Sequence, residues 1–174
     1  MKPMKLALEI VCLLWAIHLI NVIFPGDLRL LGIRPRSIQG LPGIVCSPFL
    51  HSNLSHLCAN SGALFVLLSV SFLYSMEMTL MALAYIVCIG GGMVWLLGAP
   101  GTLHIGASGV IFGLIGFLIC SGYYHHNVKA VVISILVCFF YGSALFSFFA
   151  INPGVSWVGH FFGFVAGVAA SRLV

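Results

Sequence analysis

Three long stretches of the chain, residues 37–76, 78–128 and 130–171, contain no lysine, arginine, aspartate or glutamate. Each exceeds the ~20 apolar residues that carry a helix across a bilayer, and each is long enough for one or two crossings. In hydrocarbon every backbone N–H and C=O must be satisfied internally, which leaves helices or closed barrels. No alternating pattern of barrel strands is present, so the spans are helical. With 61% hydrophobic and 6% charged residues, against about a quarter charged in soluble domains, the expected fold class is an all-α polytopic membrane protein. A soluble globular protein, a disordered tail and a nucleic-acid binder are excluded, and the lipid bilayer is the first expected partner.

Glycine, proline and polar breakers cut the apolar stretches into six predicted spans, at about 6–24, 53–74, 78–97, 107–122, 128–149 and 156–173. A Gly/Pro-rich connection over about 25–50 holds every loop arginine. No internal repeat or second domain is visible, so residues 1–174 read as a single membrane-embedded domain without an extramembrane part. Two lysines precede the first apolar run, but no small-x-small cleavage site closes it, and it reads as a span rather than a signal peptide. Lys2, Lys5, Lys129 and Arg172 fall on one side and Arg29, Arg34 and Arg36 on the other. Four against three barely orients the protein by the positive-inside rule. Parity is firmer: spans two, four and six start on the same face. The six cysteines form no CxxC pair, and five lie in apolar runs, where they read as small buried hydrophobes.

Polar side chains within the membrane are costly and mark function by default. Three groups lie near the N-terminal ends of the even spans, and hence at one depth. His56 and Asn60 are four apart on one face of the second span. Ser108 sits among Gly106, Ala107 and Gly109 at the start of the fourth, and His160 lies about one turn into the sixth. Gly109 and Gly113 make one small-xxx-small pair, and Gly159, Gly163 and Gly167 extend another. Such faces let helices approach closely, close enough for an imidazole to reach a serine hydroxyl as nucleophilic catalysis requires. Phe112, one turn below Ser108, is placed to brace that imidazole.

Glu9, Asp27 and Glu77 are the only acids. A two-aspartate protease is therefore excluded, and HExxH is missing. Glu9 lies in the first span, Asp27 in a loop and Glu77 at the opposite membrane face, so a Ser–His dyad remains. No metal and no cofactor are expected.

The stretches His51-Ser-Asn-Leu-Ser-His56-x-x-x-Asn60, Gly106-Ala-Ser108-Gly109 and Gly159-His160-x-x-Gly163-x-x-x-Gly167 resemble those of rhomboid intramembrane serine proteases in order, spacing and span. The resemblance runs from about 30 to 170 and implies a minimal six-helix, bacterial-type rhomboid core. It implies Ser108 as nucleophile and His160 as general base. His56, Asn60 and the Ser108 N–H would form the oxyanion hole, and Phe112 would stack on the histidine. It also implies a water-filled cavity opening to the outer face of a bacterial inner membrane, cytoplasmic termini, and single-span membrane proteins as substrates. Span five and the loop around Asn152-Pro153-Gly154 are the implied gating elements. Many family members carry a Trp-Arg pair in the first loop; here that stretch reads Leu41-Pro42-Gly43-Ile44.

His51 and His104 are placed near the cavity mouth, where each can bond a loop or water. His18 reads as a packing hydrogen bond within the first span, and His125, His126 and Lys129 as interfacial residues. Ser52, Asn53, Ser55 and Ser61 are candidates to line a water route. A non-proteolytic relative that binds membrane helices is disfavoured by the presence of both Ser108 and His160. A small channel or transporter is disfavoured by the lack of repeats and broken helices. The sequence assigns no oligomeric state.

Overall fold

The computed structural model describes residues 2–23, 25–148 and 156–174. Six long helices form the bundle: α1 (Pro3–Ile23), α2 (Leu54–Tyr74), α3 (Met76–Leu97), α4 (Ser108–Tyr124), α5 (Val128–Tyr141) and α6 (Trp157–Leu173). No β-strand occurs among the described residues; a single antiparallel bridge joins Ile33 to His104. Five of the six predicted spans and these helices agree to within a few residues. The last stretch of the fifth span departs from α geometry and tightens into a 3-10 helix, Gly142–Phe148. The turn at Asn152-Pro153-Gly154 lies outside the described residues.

Local chemistry explains where the helices begin. Asn53 caps α2 by accepting from His56 N–H at 2.8 Å, Ser75 caps α3 through Met78 N–H at 3.3 Å, and Asn127 caps α5 through Ala130 N–H at 2.8 Å. Ser156 caps α6 through Gly159 N–H at 3.1 Å. Each satisfies one of the N–H groups that a helix start leaves open. Ser75 rather than Glu77 therefore makes the turn between α2 and α3. At the other end of α2, the Lys129 ammonium donates to the carbonyls of Leu73 (2.6 Å) and Tyr74 (3.2 Å), where a cation also complements the helix dipole.

Helix α4 is the centre of the molecule. Val110 through Leu118 are all buried, which fits a helix apolar on every side. The peripheral helices are apolar too, but α5 buries only Ala130 and Val137. Leu8, Leu19, Ile135, Phe139 and Phe140 stand exposed on α1 and α5. Four helical segments, Pro3–Ile23, Leu54–Tyr74, Met76–Leu97 and Val128–Phe148, are long and apolar enough to cross a membrane. The protein is a membrane protein, and the exposed apolar side chains are its lipid-facing surface. None of the six cysteines is fully buried: Cys12, Cys58, Cys88 and Cys138 are exposed and Cys46 and Cys120 intermediate, and all are free. Their expected place in the core is corrected to the helix flanks, because glycine and leucine occupy the helix contacts.

Small residues set how α4 meets its neighbours. A Cβ on Gly163 would overlap the carbonyl oxygen of Gly109, and one on Gly167 that of Gly113, so α4 and α6 touch backbone to backbone. Helix α3 carries a π-helical turn, Ile86–Gly90. There Ile86 lies over Gly113, and Gly90 approaches Gly163 of α6, so three helices converge on glycine. The connection before α2 is a series of short helical turns rather than open loop. Arg36 of this connection meets Trp95 of α3: Arg36 N–H donates to Trp95 O at 2.9 Å and its guanidinium to Gly98 O at 3.0 Å. The Trp95 indole returns a bond to Ser37 O at 2.9 Å. Polar bonds to α3 thus hold this connection, which carries no tryptophan of its own.

Candidate active site

Ser108 is the first residue of α4. Unlike α2, α3, α5 and α6, this helix opens without a side-chain cap, on Ala107. The first backbone bond at this end runs from Ile111 N–H to Ala107 O at 3.0 Å. The N–H groups of Ser108, Gly109 and Val110 are therefore left for another acceptor, at the positive end of the helix dipole. Gly106 makes this approach possible. Its φ of +116° lies where side chains are strained, and a Cβ there would meet His56 Cε1 at 2.7 Å and Nε2 at 2.8 Å. The imidazole of His56 thus lies directly against the backbone that leads into Ser108.

The Asn53 cap starts α2 so that His56 and Asn60 stand one turn apart on its inner face. His56 Nδ1 is 3.1 Å from Ser52 Oγ; when that hydroxyl donates, Nε2 carries the proton and is a donor towards Gly106. Asn60 is buried, and its Nδ2 has no hydrogen-bond partner among the described residues. That atom lies 3.7 Å from where a Gly106 Cβ would be. A buried amide donor without an acceptor is costly, and here it is held beside the open end of α4. His51, 2% exposed, packs edge-on against His56 with ring centroids 5.1 Å apart. Its Nε2 accepts a long 3.5 Å bond from Ala107 N–H. Burial holds its imidazole below the ordinary value, and the neighbouring His56 adds to that.

His160 lies one turn into α6, on the face that carries Gly163 and Gly167. Its ring stacks on Phe112 with centroids 4.3 Å apart and planes 16° from parallel. Phe148 also packs against Phe112, with ring centroids 5.4 Å apart. His160 Nδ1 is 3.4 Å from Ser147 Oγ. No hydrogen bond joins Ser108 and His160 in this structure, although both line one open cavity of about 800 Å³ with His56 and Asn60. The carboxylates lie elsewhere: Glu9 pairs with Lys5 at 3.6 Å and Asp27 with Arg29 at 2.8 Å.

The rim of this cavity is a second polar assembly. His104 Nδ1 lies 2.6 Å from Ser156 Oγ, and its Nε2 lies 2.8 Å from Thr102 Oγ1, whose hydroxyl reaches Ala99 O at 2.6 Å. Burial lowers the proton affinity of His104.

The family model described as "Rhomboid domain" matches residues 39–174. The chain belongs to the rhomboid family. Rhomboid proteins are generally intramembrane serine proteases, and the three motifs that meet in the cavity all lie within the matched region. An uncharacterized protein of Mycobacterium tuberculosis H37Rv is 39% identical over 175 residues, covering 96% of this chain and 73% of the relative. One from Mycobacterium bovis matches to the same extent. An uncharacterized protein of Mycobacterium leprae is 34% identical over 96% of this chain and 69% of its own length. No solved structure matches the chain.

The rhomboid bundle brings Ser108, His160, His56, Asn60, Phe112, Gly106, Gly109, Gly163 and His51 into one neighbourhood. Ser52, Asn53 and Ser55 also line the cavity, but Ser61 does not. Its hydroxyl donates to Leu57 O at 2.8 Å and accepts the Trp15 indole N–H at 3.0 Å, so it ties α2 to α1. The packing bond expected of His18 is also absent: its Nδ1 is buried without a partner among the described residues. Ser147 and Ser156 were not singled out by sequence reasoning. Ser147 is a polar residue in an apolar span, and that signal was available. Ser156 reads only as a helix cap until the fold shows what else it touches.

Proposed function

We propose that this protein is an intramembrane serine endopeptidase that cleaves single-span membrane proteins. The observation that carries the reading is the stack of His160 on Phe112 one turn into the Ser108 helix, whose start is uncapped, with α4 and α6 in backbone contact. His160 is held by packing, with no acid partner, in a cavity that also contains the unpartnered amide of Asn60.

His160 acts as general base through Nε2, its Nδ1 turned to Ser147, and takes the hydroxyl proton of Ser108 as Oγ attacks the scissile carbonyl. Catalytic hydrogen bonds are often long or unformed in unliganded enzymes and tighten with substrate, so the missing Ser108–His160 bond is expected to form in the complex. The developing oxyanion is taken by the Ser108 N–H, Asn60 Nδ2 and His56 Nε2. His160 then returns the proton to the leaving amine, and water from the cavity releases the acyl-enzyme. A substrate helix has its carbonyls bonded internally, so it must unwind locally at the cut; small or helix-breaking residues there favour cleavage.

Helix α4 has 17 residues, about 25 Å of rise against a hydrocarbon core of ~30 Å. Its start, and Ser108 with it, can therefore lie below the membrane face, with the cavity supplying water. The orientation we infer puts both termini in the cytoplasm and the cavity on the outer face of the cell membrane, with six crossings. The test is a fluorophosphonate probe on purified protein, together with cleavage of a reporter transmembrane segment. Labelling at Ser108, and loss of cleavage in both Ser108→Ala and His160→Ala, is expected. A folded protein that neither labels nor cleaves supports a helix-binding relative or a pore instead.

A further inference from the structure

Ser108 begins α4 and His160 lies one turn into α6, and one side chain outside the proposed dyad bonds the segment before α4 to the cap of α6. The direction of each bond follows from hydrogen-bond capacity. Thr102 donates its hydroxyl proton to Ala99 O at 2.6 Å, so in the 2.8 Å contact with Thr102 Oγ1 the donor is His104 Nε2. In a neutral imidazole Nδ1 then carries the lone pair. Ser156 Oγ, 2.6 Å away, donates to it while accepting Gly159 N–H at 3.1 Å. The series Gly159, Ser156, His104, Thr102, Ala99 runs one way, with each hydroxyl and ring nitrogen matched.

His104 is itself anchored: its N–H donates to Ile33 O at 2.9 Å and its carbonyl accepts Ile33 N–H at 3.0 Å. It stands four residues before Ser108, and Ser156 stands four before His160. The glycine contacts between α4 and α6 set how near the helices lie but are not directional. A short directional bond at the start of α6 fixes the register.

We propose that His104 is a positioning residue for peptide hydrolysis: through Ser156 it sets the register of α6, and so of the His160 imidazole, against the segment leading into Ser108. The inference rests on the reading of Ser108 and His160 as the reacting pair. A reacting group misplaced by about 1 Å loses on the order of 10²-fold in rate, so a bond outside the chemistry can govern turnover.

The experiment uses full-length protein, the reporter segment and the fluorophosphonate probe with three variants. His104→Asn places an amide oxygen near the position of Nδ1 and keeps the acceptor for Ser156. His104→Gln reaches the position of Nε2, serving Thr102 but not Ser156, and His104→Phe serves neither. We expect kcat to fall about 10- to 100-fold in the Gln and Phe variants with KM unchanged, labelling of Ser108 to slow in parallel, and the Asn variant to keep most of its turnover. If the Phe variant does not fold, the comparison of Asn with Gln decides. Equal turnover in Asn and Gln, or an unaffected Gln variant beside a reactive wild type, overturns the inference alone. A wild type that does not label overturns the reading of the dyad, and this inference with it.

Discussion

Helix α4 is flanked by α6 and by α5, and the two contacts are built differently. Against α6 the backbones meet: Gly163 faces the Gly109 carbonyl, Gly167 faces that of Gly113, and Gly116 approaches the Phe164 carbonyl. At Gly163 and Gly167 the facing atoms are backbone, which cannot rotate aside. Against α5 the close contact lies far from the site, where Gly122 meets Ser134 and Ser134 donates to Ile119 O at 2.6 Å. Towards the site, α5 becomes the 3-10 turn Gly142–Phe148, none of whose residues is buried. It meets the centre through side chains: Ser147, 3.4 Å from His160, the rings around Phe148, and Leu145 against the core. The α6 flank is a close-packed shelf for the histidine, and the cavity end of α5 is a cover made of side chains. Close backbone packing suits the group whose position decides the chemistry. A side-chain cover suits an element that moves aside for substrate.

The sharpest way to break this contrast is on the shelf. Gly163→Leu has no space, because the obstacle is a backbone carbonyl. Over-packing commonly costs ~1–3 kcal/mol, and here it also drives α6 and His160 away from Ser108. The melting temperature should fall and cleavage should drop to background. A Gly163→Leu protein with full activity would mean that the α4–α6 contact does not hold the reacting pair.

Next in size is the stack itself. Phe112→Leu keeps the apolar volume but removes the face on which His160 lies, an interaction of about 0.5–1.5 kcal/mol. Turnover should fall up to about tenfold with little change in melting temperature. Steady-state kinetics beside a thermal melt would test this; an equal loss in His160 packing and in global stability would make Phe112 a core residue only.

On the cover, Phe148→Ala should lower the melting temperature less than Gly163→Leu, since its neighbours are side-chain rings rather than backbone. If the cover limits access, its removal leaves kcat/KM unchanged or higher. A melting loss as large as that of Gly163→Leu would erase the distinction between the two flanks.

Much of this arrangement is legible in the amino-acid sequence. Glycine spacing marked the shelf, because a Gly-x-x-x-Gly face has one structural use in a membrane. Helix parity then put Ser108, His160, His56 and Asn60 at one depth. Other features needed the fold. Ser61 looked like a cavity hydroxyl but faces Trp15, since two side chains five residues apart on a helix point in different directions. Ser75, and not Glu77 two residues on, accepts Met78 N–H and caps α3, and only backbone geometry selects between them. His104 and Ser156 are 52 residues apart, and no periodicity joins a loop residue to a distant helix cap.

The smallest expected effect concerns the acids, and it tests whether either flank hides a third catalytic member. His160 is bordered by Phe112 on the shelf side and by Ser147 on the cover side, and neither is a carboxylate. Glu9 is engaged with Lys5 and Asp27 with Arg29, both in partly exposed pairs, and surface pairs of this kind contribute ~0–1 kcal/mol. Glu77 lies in the first turn of α3, which begins on the face opposite to the start of α6. Glu9→Gln, Asp27→Asn and Glu77→Gln should therefore each keep wild-type kcat. Ser75→Ala, which removes the actual cap of α3, should cost about 1 kcal/mol of stability, more than Glu77→Gln beside it. Turnover measured on folded, purified variants decides the matter. Loss of activity in any one acid variant as complete as in Ser108→Ala, with the fold intact, would show that His160 has an acid partner and that packing on Phe112 is not what orients it.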